Sequence, residues 1–288
     1  MVSIKLIVTH QNPDLDAIGA CWLWMKWGGR DYEEAQFFFV PAGEEIADDV
    51  LAAKELRREE AVHVDTGMGE FDHHQADNQK QDSASVRVYD RLVTLDPILG
   101  QDAALKRVVE IINAIDHFTS CYWPEATDDR YGFMLEEILK GIRGGRQFND
   151  REMVEFGMIC LDGIYNSMKM KVKAEEEIET LGKPFETKWG RAMAIENGND
   201  EVVKLAQKQG FQLVVRKDRE KGHVRIKAVP EKGIDLTPIY EAVKVRDKVG
   251  TWYLHPAKTM LLNGSARNDK HVPTPLKLEE VVEIVMGS

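Results

Sequence analysis

Cysteine is scarce: the chain has three, Cys21, Cys121 and Cys160, among 288 residues. An odd, scattered set argues against a disulfide framework. No C-x-x-C pair exists, which argues against a thiolate zinc site. Long apolar runs are also lacking, and no uninterrupted stretch approaches the roughly 20 residues that span a bilayer. Basic charge is in deficit, with 38 Lys and Arg against 49 Asp and Glu and a formal net charge of -11. Such a chain is poorly suited to gripping long duplex nucleic acid through phosphate contacts. A small anionic substrate stays compatible, because bound cations invert a local field. The segment MVSIKLIVTH has no basic region followed by a long apolar one, so it does not read as a signal peptide. The expectation is a cytoplasmic protein without membrane attachment.

What is present is 43% hydrophobic residues in alternating strand and helix grammar. IKLIVTH predicts a buried strand, and DLDAIGACWLWMKW a helix closed by Gly28 and Gly29. AQFFFVP predicts a second strand, EEIADDVLAAKELRRE a second helix, and AVHVD a third strand that ends at Asp65. This alternation predicts a parallel α/β sheet. Residues 83–181 read as helical almost throughout. Residues 182–188 read as a linker, because Gly182 and Pro184 interrupt the helical pattern. Beyond it, RAMAIEN, FQLVVRKD and GHVRIKAVP read as strands, and NDEVVKLAQKQ as a helix capped by Asn199 or Asp200. The expected organisation is a domain over 1–181, the linker, and a smaller α/β domain over 189–288, with an active-site cleft between the domains.

Four short segments carry the chemistry: THQNPDLDAIGA, VDTG, FDHHQ and NAIDHF. They supply His10, Asp14, Asp16, Asp65, Asp72, His73, His74 and Asp116. Carboxylates mixed with imidazoles suit two divalent metals that share a bridging carboxylate. His10 falls at the carboxyl end of a predicted parallel strand, where such folds place their sites. Each segment also has a plain structural reading. N-P-D is a turn signature and Asp a favoured N-cap. His117, near a helix C-terminus, is explained by the helix dipole, which disfavours Asp116 at the same place. Three consecutive titratable residues, Asp72-His73-His74, behind a buried strand are harder to explain structurally. Trp22, Trp24 and Trp27 cannot all face one way on a helix, and core packing or a homodimer contact accounts for them better than base stacking.

The pattern H-x-N-P-D-x-D, a strand-terminal D, D-H-H and a later helical D resembles the DHH phosphoesterase superfamily over roughly the first half of the chain. That superfamily includes family II pyrophosphatases, exopolyphosphatases, oligoribonucleotide and cyclic-dinucleotide phosphodiesterases and RecJ-type exonucleases. The resemblance implies two Mn²⁺ ions, with Co²⁺ or Mg²⁺ as alternatives. It implies that His10 and Asp14 hold one metal, that Asp16, His73 and Asp116 hold the other, and that Asp65 bridges. It further implies that Asp72 orients the imidazoles and that His74 contacts the phosphoryl group. Many such phosphodiesterases carry a Gly-Gly-Gly-His motif in a second domain. This chain has YLHPAKTMLLNGSARN instead, in which His255, Asn263, Gly264, Ser265 and Arg267 take the corresponding substrate-binding part by analogy.

The expected function is a two-metal phosphohydrolase acting on a nucleotide, short oligonucleotide or cyclic dinucleotide. An inorganic pyrophosphatase or exopolyphosphatase is the alternative within enzymes. A non-catalytic nucleotide sensor is the alternative outside them, and the intact set of candidate ligands speaks against it.

Overall fold

The computed structural model describes residues 4–145, 148–231, 233–264 and 270–288. Contacts divide the chain into a unit over 1–169 and a unit over 170–288. The first is built on a three-stranded parallel sheet of β1 (Leu6–His10), β2 (Gln36–Val40) and β3 (Ala61–His63), in the order β2-β1-β3. β1 lies in the centre and pairs Leu6 with Gln36 on one side and with Ala61 on the other. Its Leu6, Ile7 and Val8 are buried, as a central parallel strand covered on both faces requires.

Helix α1 (Leu15–Trp27) follows β1 and is buried continuously from Leu15 to Trp24. It is apolar on all sides because neighbours surround it. It packs against α3 (Ala84–Leu95) and α4 (Ala103–Asp116). A Cβ at Gly19 would lie 2.5 Å from Ser85 Oγ and 2.9 Å from Ile112 Cδ1, so only glycine permits this approach. Trp22 and Trp24 pack in the core: Trp24 stacks on Tyr32 with centroids 4.5 Å apart, and Trp22 meets the half-buried Trp27 edge-on at 4.9 Å.

The second predicted helix is shorter than its pattern. α2 runs only from Asp48 to Ala53, and Glu55 has a left-handed φ of 56°, which an α-helix does not continue through. β3 likewise ends at His63, so Asp65 lies just beyond the strand and not within it. The predicted helical stretch resolves into α3, α4 and α5 (Leu135–Gly144), separated by 3-10 turns, and α6 (Asp150–Leu181).

The expected linker is a strand. β4 (Lys183–Thr187) pairs antiparallel with β5 (Gly190–Glu196) and forms the edge of a six-stranded sheet. Pro184 is tolerated there because an edge strand has unpaired amides to spare. The division between units falls inside α6, whose last turns belong to the second unit. Further strands are β6 (Leu213–Lys217), β7 (Val224–Ala228), β8 (Trp252–Leu254) and β9 (Met260–Asn263), in the order β4-β5-β6-β7-β9-β8. One face packs on α8 (Thr237–Arg246) and α9 (Leu278–Met286) through Val215, Ile226, Ile239 and Val281. The other packs through Met193, Ile195 and Val214 on α7 (Glu201–Lys208) and on Ala174 of α6. No helix among the described residues is long and apolar enough to cross a membrane.

Candidate metal centre

The carboxyl end of β1 places His10 at the sheet edge. Its Nδ1 lies 2.8 Å from the Gln11 carbonyl, and its Nε2 lies 3.2 Å from Asp65 Oδ2. A backbone carbonyl holding one imidazole nitrogen turns the other toward a ligand, the usual arrangement of a metal-binding histidine. Asp14 caps α1: one carboxylate oxygen accepts from the amides of Asp16 and Ala17 at 3.0 Å each. The N-cap role therefore holds, and the same side chain also has a donor atom grouped with donors of His10 and Asp65 within 4.8 Å.

Asp65 sits in a tight turn. Asp65, Gly67 and Met68 all have positive φ, at 53°, 79° and 53°. A left-handed aspartate beside a left-handed methionine is backbone strain of the kind that clusters at functional sites. The turn is held by the Thr66 hydroxyl donating to the Glu44 carbonyl, and by the Met68 amide donating to Asp72 Oδ2 at 2.7 Å. Buried Asp72 also accepts from the amide of His74 at 3.0 Å and lies 2.9 Å from its Nδ1. It thus orients one imidazole, His74, and closes the turn. Arg87, which drew no attention as sequence, ties this loop to α3 by bonding Asp82, Gln75 and the Asp72 carbonyl.

His73 occupies the middle of the cluster. Its Nε2 lies 3.5 Å from Asp65 Oδ1, 3.6 Å from Asp116 Oδ2 and 3.9 Å from Asp16 Oδ2. Both His73 Nε2 and Asp65 Oδ1 are buried without a hydrogen-bond partner among the described residues. Buried polar groups are otherwise nearly always satisfied. Two donors each about 2.1 Å from one ion stand about 3–3.5 Å apart, close to these separations. His117 joins His73 and Asp116 as a third donor group. It was read from sequence only as a dipole partner, and its place beside Asp116 at the end of α4 was the available signal.

Asp16 is placed differently from its neighbours. Its two oxygens accept the amides of Ala84 and Ser85, at 2.7 and 2.9 Å, at the start of α3. It stands beside His73 but completes no three-donor group among the described residues.

The electrostatics are those of crowded acids tempered by imidazoles. Among the described residues, every ion pair of these carboxylates is with a histidine. Burial opposes the charge on His10, but the Asp65 hydrogen bond and nearby carboxylates outweigh it and raise its pKa to about 9. His73 follows the same balance to about 9, through Asp65, Asp116 and Asp16. Burial and the charges of Asp65, Asp116 and Asp14 push Asp16 up to about 8. Burial pushes Asp65 up, but the hydrogen bond with His10 and the nearby imidazole of His73 more than offset it and hold this carboxyl below the ordinary range.

The C-terminal candidates are not brought together. His255 lies in the β8–β9 turn, where its Nδ1 accepts from the Ala257 amide. Asn263 and Gly264 lie at the opposite end of β9. The Asn263 side chain is nearly inaccessible; it donates to the carbonyls of Thr251 and Val272 and accepts from the Thr274 amide. Ser265 and Arg267 lie outside the described residues.

No model of a known protein family matches the chain, and no curated protein matches it. Solved structures do. A DHH domain from a member of the s1p family of ribosomal proteins is 14% identical, with 98% of this chain and 86% of that one covered and a TM-score of 0.30. RecJ from Thermus thermophilus in complex with Mn²⁺ is 11% identical, with 91% of this chain but 50% of RecJ covered, at a TM-score of 0.29. An exopolyphosphatase-related protein from Bacteroides fragilis is 14% identical over 98% of this chain and 90% of its own, at 0.25.

Proposed function

We propose that the protein is a two-metal phosphohydrolase acting on a small phosphorylated substrate, most naturally a nucleotide, short oligonucleotide or cyclic dinucleotide. The observation that carries this reading is the pair of buried, unpartnered atoms, Asp65 Oδ1 and His73 Nε2, 3.5 Å apart. They stand between two donor groups, one with His10 and Asp14 and one with Asp116 and His117. In this reading His10, Asp14 and Asp65 hold one ion. Asp65, His73 and Asp116 hold the second, with Asp16 beside them. Oxygen and imidazole donors without thiolate suit Mn²⁺, with Co²⁺ or Mg²⁺ as alternatives. Bound ions of this kind make a water nucleophilic near neutral pH and neutralise phosphoryl oxygens.

The chain's own residues do the positioning. Asp72 fixes His74 by holding Nδ1, which leaves Nε2 on an exposed ring to meet a phosphoryl oxygen. Arg87 keeps the loop that bears both histidines in register. A Mn²⁺ assay over pyrophosphate, adenosine bisphosphate, a cyclic dinucleotide and a two- to five-nucleotide RNA tests this. Hydrolysis of at least one phosphoester, lost on chelation and in Asp65→Asn, is the expected result. Retention of full turnover in Asp65→Asn would overturn it.

A further inference from the structure

The parallel sheet of the first unit ends in β2, and the five residues of that strand, QFFFV, carry no charge. The Gln36 amide donates to the Lys5 carbonyl, and the Val40 carbonyl accepts from the Gln11 amide. Residues 36, 38 and 40 therefore turn their backbone groups toward β1. These groups alternate in direction along a strand, so Phe37 and Phe39 turn theirs away from the sheet. Among the described residues, the Phe37 amide and both backbone groups of Phe39 have no hydrogen-bond partner. The Phe37 carbonyl receives only the Arg151 guanidinium, at 3.5 Å.

An edge with free amides and carbonyls is a template for a further strand, and proteins usually blunt it with charge, proline or a bulge. β2 has none of these: its register with β1 runs unbroken from Gln36 to Val40. The other edge, β3, offers only three residues. β2 is complementary to itself. About a two-fold axis at Phe38, Phe37 faces the partner's Phe39, and the two exchange amide and carbonyl as an antiparallel hydrogen-bonded pair. The Phe37 carbonyl has a second lone pair with which to keep Arg151. The exposed Glu33 and Glu34 then lie opposite the partner's Gly43 and Ala42, whereas parallel pairing would set each acid against its own copy. Lys54 lies over the Phe38 ring at 5.5 Å and is exposed, so its stem can cover the paired rings while its charge stays in water.

We propose that β2 is the interface of a homodimer, joining two parallel sheets into one through an antiparallel β2–β2 pair centred on Phe38. A second copy fits this edge better than a foreign strand. It brings the same uncharged run, and the two-fold axis closes the contact and leaves no β2 edge free. A single strand pair buries less than the roughly 1,600 Å² of a standard interface, so association in the micromolar range is expected. The contact uses none of the candidate metal ligands, so it stands or falls separately from the hydrolytic reading.

Sedimentation equilibrium of the full-length protein, from low to high micromolar concentration, should show monomer and dimer in exchange. Single cysteines then fix the register, in a chain whose exposed Cys121 is replaced by serine. Phe38→Cys faces its own copy across a non-hydrogen-bonded pair, at about 4.5 Å between Cα atoms. It should give a disulfide-linked dimer on mild oxidation. Gln36→Cys is exposed but lies about 14 Å from its copy in this register, so it should not. Phe39→Pro removes an outward amide, which an edge strand tolerates. It should stay folded by circular dichroism and lose the dimer. A monomer at every concentration would overturn the proposal. So would a Gln36→Cys link as ready as that of Phe38→Cys, a dimer in which Phe38→Cys does not link, or an intact dimer in folded Phe39→Pro. Should Phe39→Pro unfold, the two cysteine variants still decide.

Discussion

His10 and His73 compete for two ligands of opposite kind, a proton and a metal. Their pKa values near 9 mean that both imidazoles are protonated at neutral pH in the metal-free protein. A protonated imidazole cannot ligate, so metal uptake must release protons. Mn²⁺ affinity is therefore expected to rise with pH and level off above about 9, which titration calorimetry at pH 6 to 9.5 would measure. The linked stability runs the other way. Folded pKa values above the ordinary 6.5 stabilise the metal-free fold fully below that value, and this contribution is lost as pH rises to about 9. Asp16 supports a second expectation, since its oxygens satisfy two amides of α3. Asp16→Ala should destabilise even the metal-free protein, by about 1–3 kcal/mol per orphaned amide. Asp116→Ala, whose ion pairs among the described residues are with His73 and His117 alone, should not. Thermal melts with EDTA separate the two, and equal losses would show that Asp16 has no clamping role.

At the scale of elements, the site depends on where helices begin. Asp14 caps α1 and Asp16 reaches the start of α3, so two helix N-termini are anchored within three residues of each other. The approach of α1 to α3 and α4 at Gly19 sets that geometry. Gly19→Ala adds a methyl where Ser85 and Ile112 already touch, an overpacking expected to cost about 1–3 kcal/mol. Urea denaturation would show it, together with weaker Mn²⁺ binding as the start of α3 moves off Asp16. An unchanged midpoint would mean that the helices part without cost. Element identity was largely legible: β1, α1, β2, and the hairpin of β6 and β7 follow from apolar runs and turn residues. Element boundaries were harder to read. Local pattern continued the second helix to residue 59, whereas Glu55 turns left-handed and stops it. Gly182 and Pro184 looked like a linker because strand pairing at an edge leaves little trace in composition.

At the scale of the molecule, all candidate metal ligands belong to the unit over 1–169. Metal should therefore stabilise one unit selectively. At a hundredfold excess over Kd the gain is about 2.7 kcal/mol. Hydrogen exchange with and without Mn²⁺ should show added protection confined to the first unit. A uniform gain over both units would mean that they unfold together.

Residue type and order were enough to mark His10, Asp14, Asp16, Asp65, Asp72, His73, His74 and Asp116 as one mixed set of carboxylates and imidazoles, because that combination at strand and helix ends has few structural uses. Sequence also determined the parallel sheet, through its alternation of buried runs and amphipathic helices. Tertiary structure alone decided what each group does next to its neighbours. It turned Asp16 toward the amides of α3, brought His117 beside His73, and parted His255 from Asn263 by the length of a strand. Such distances arise from register and packing between segments far apart in the chain, and no local pattern encodes them.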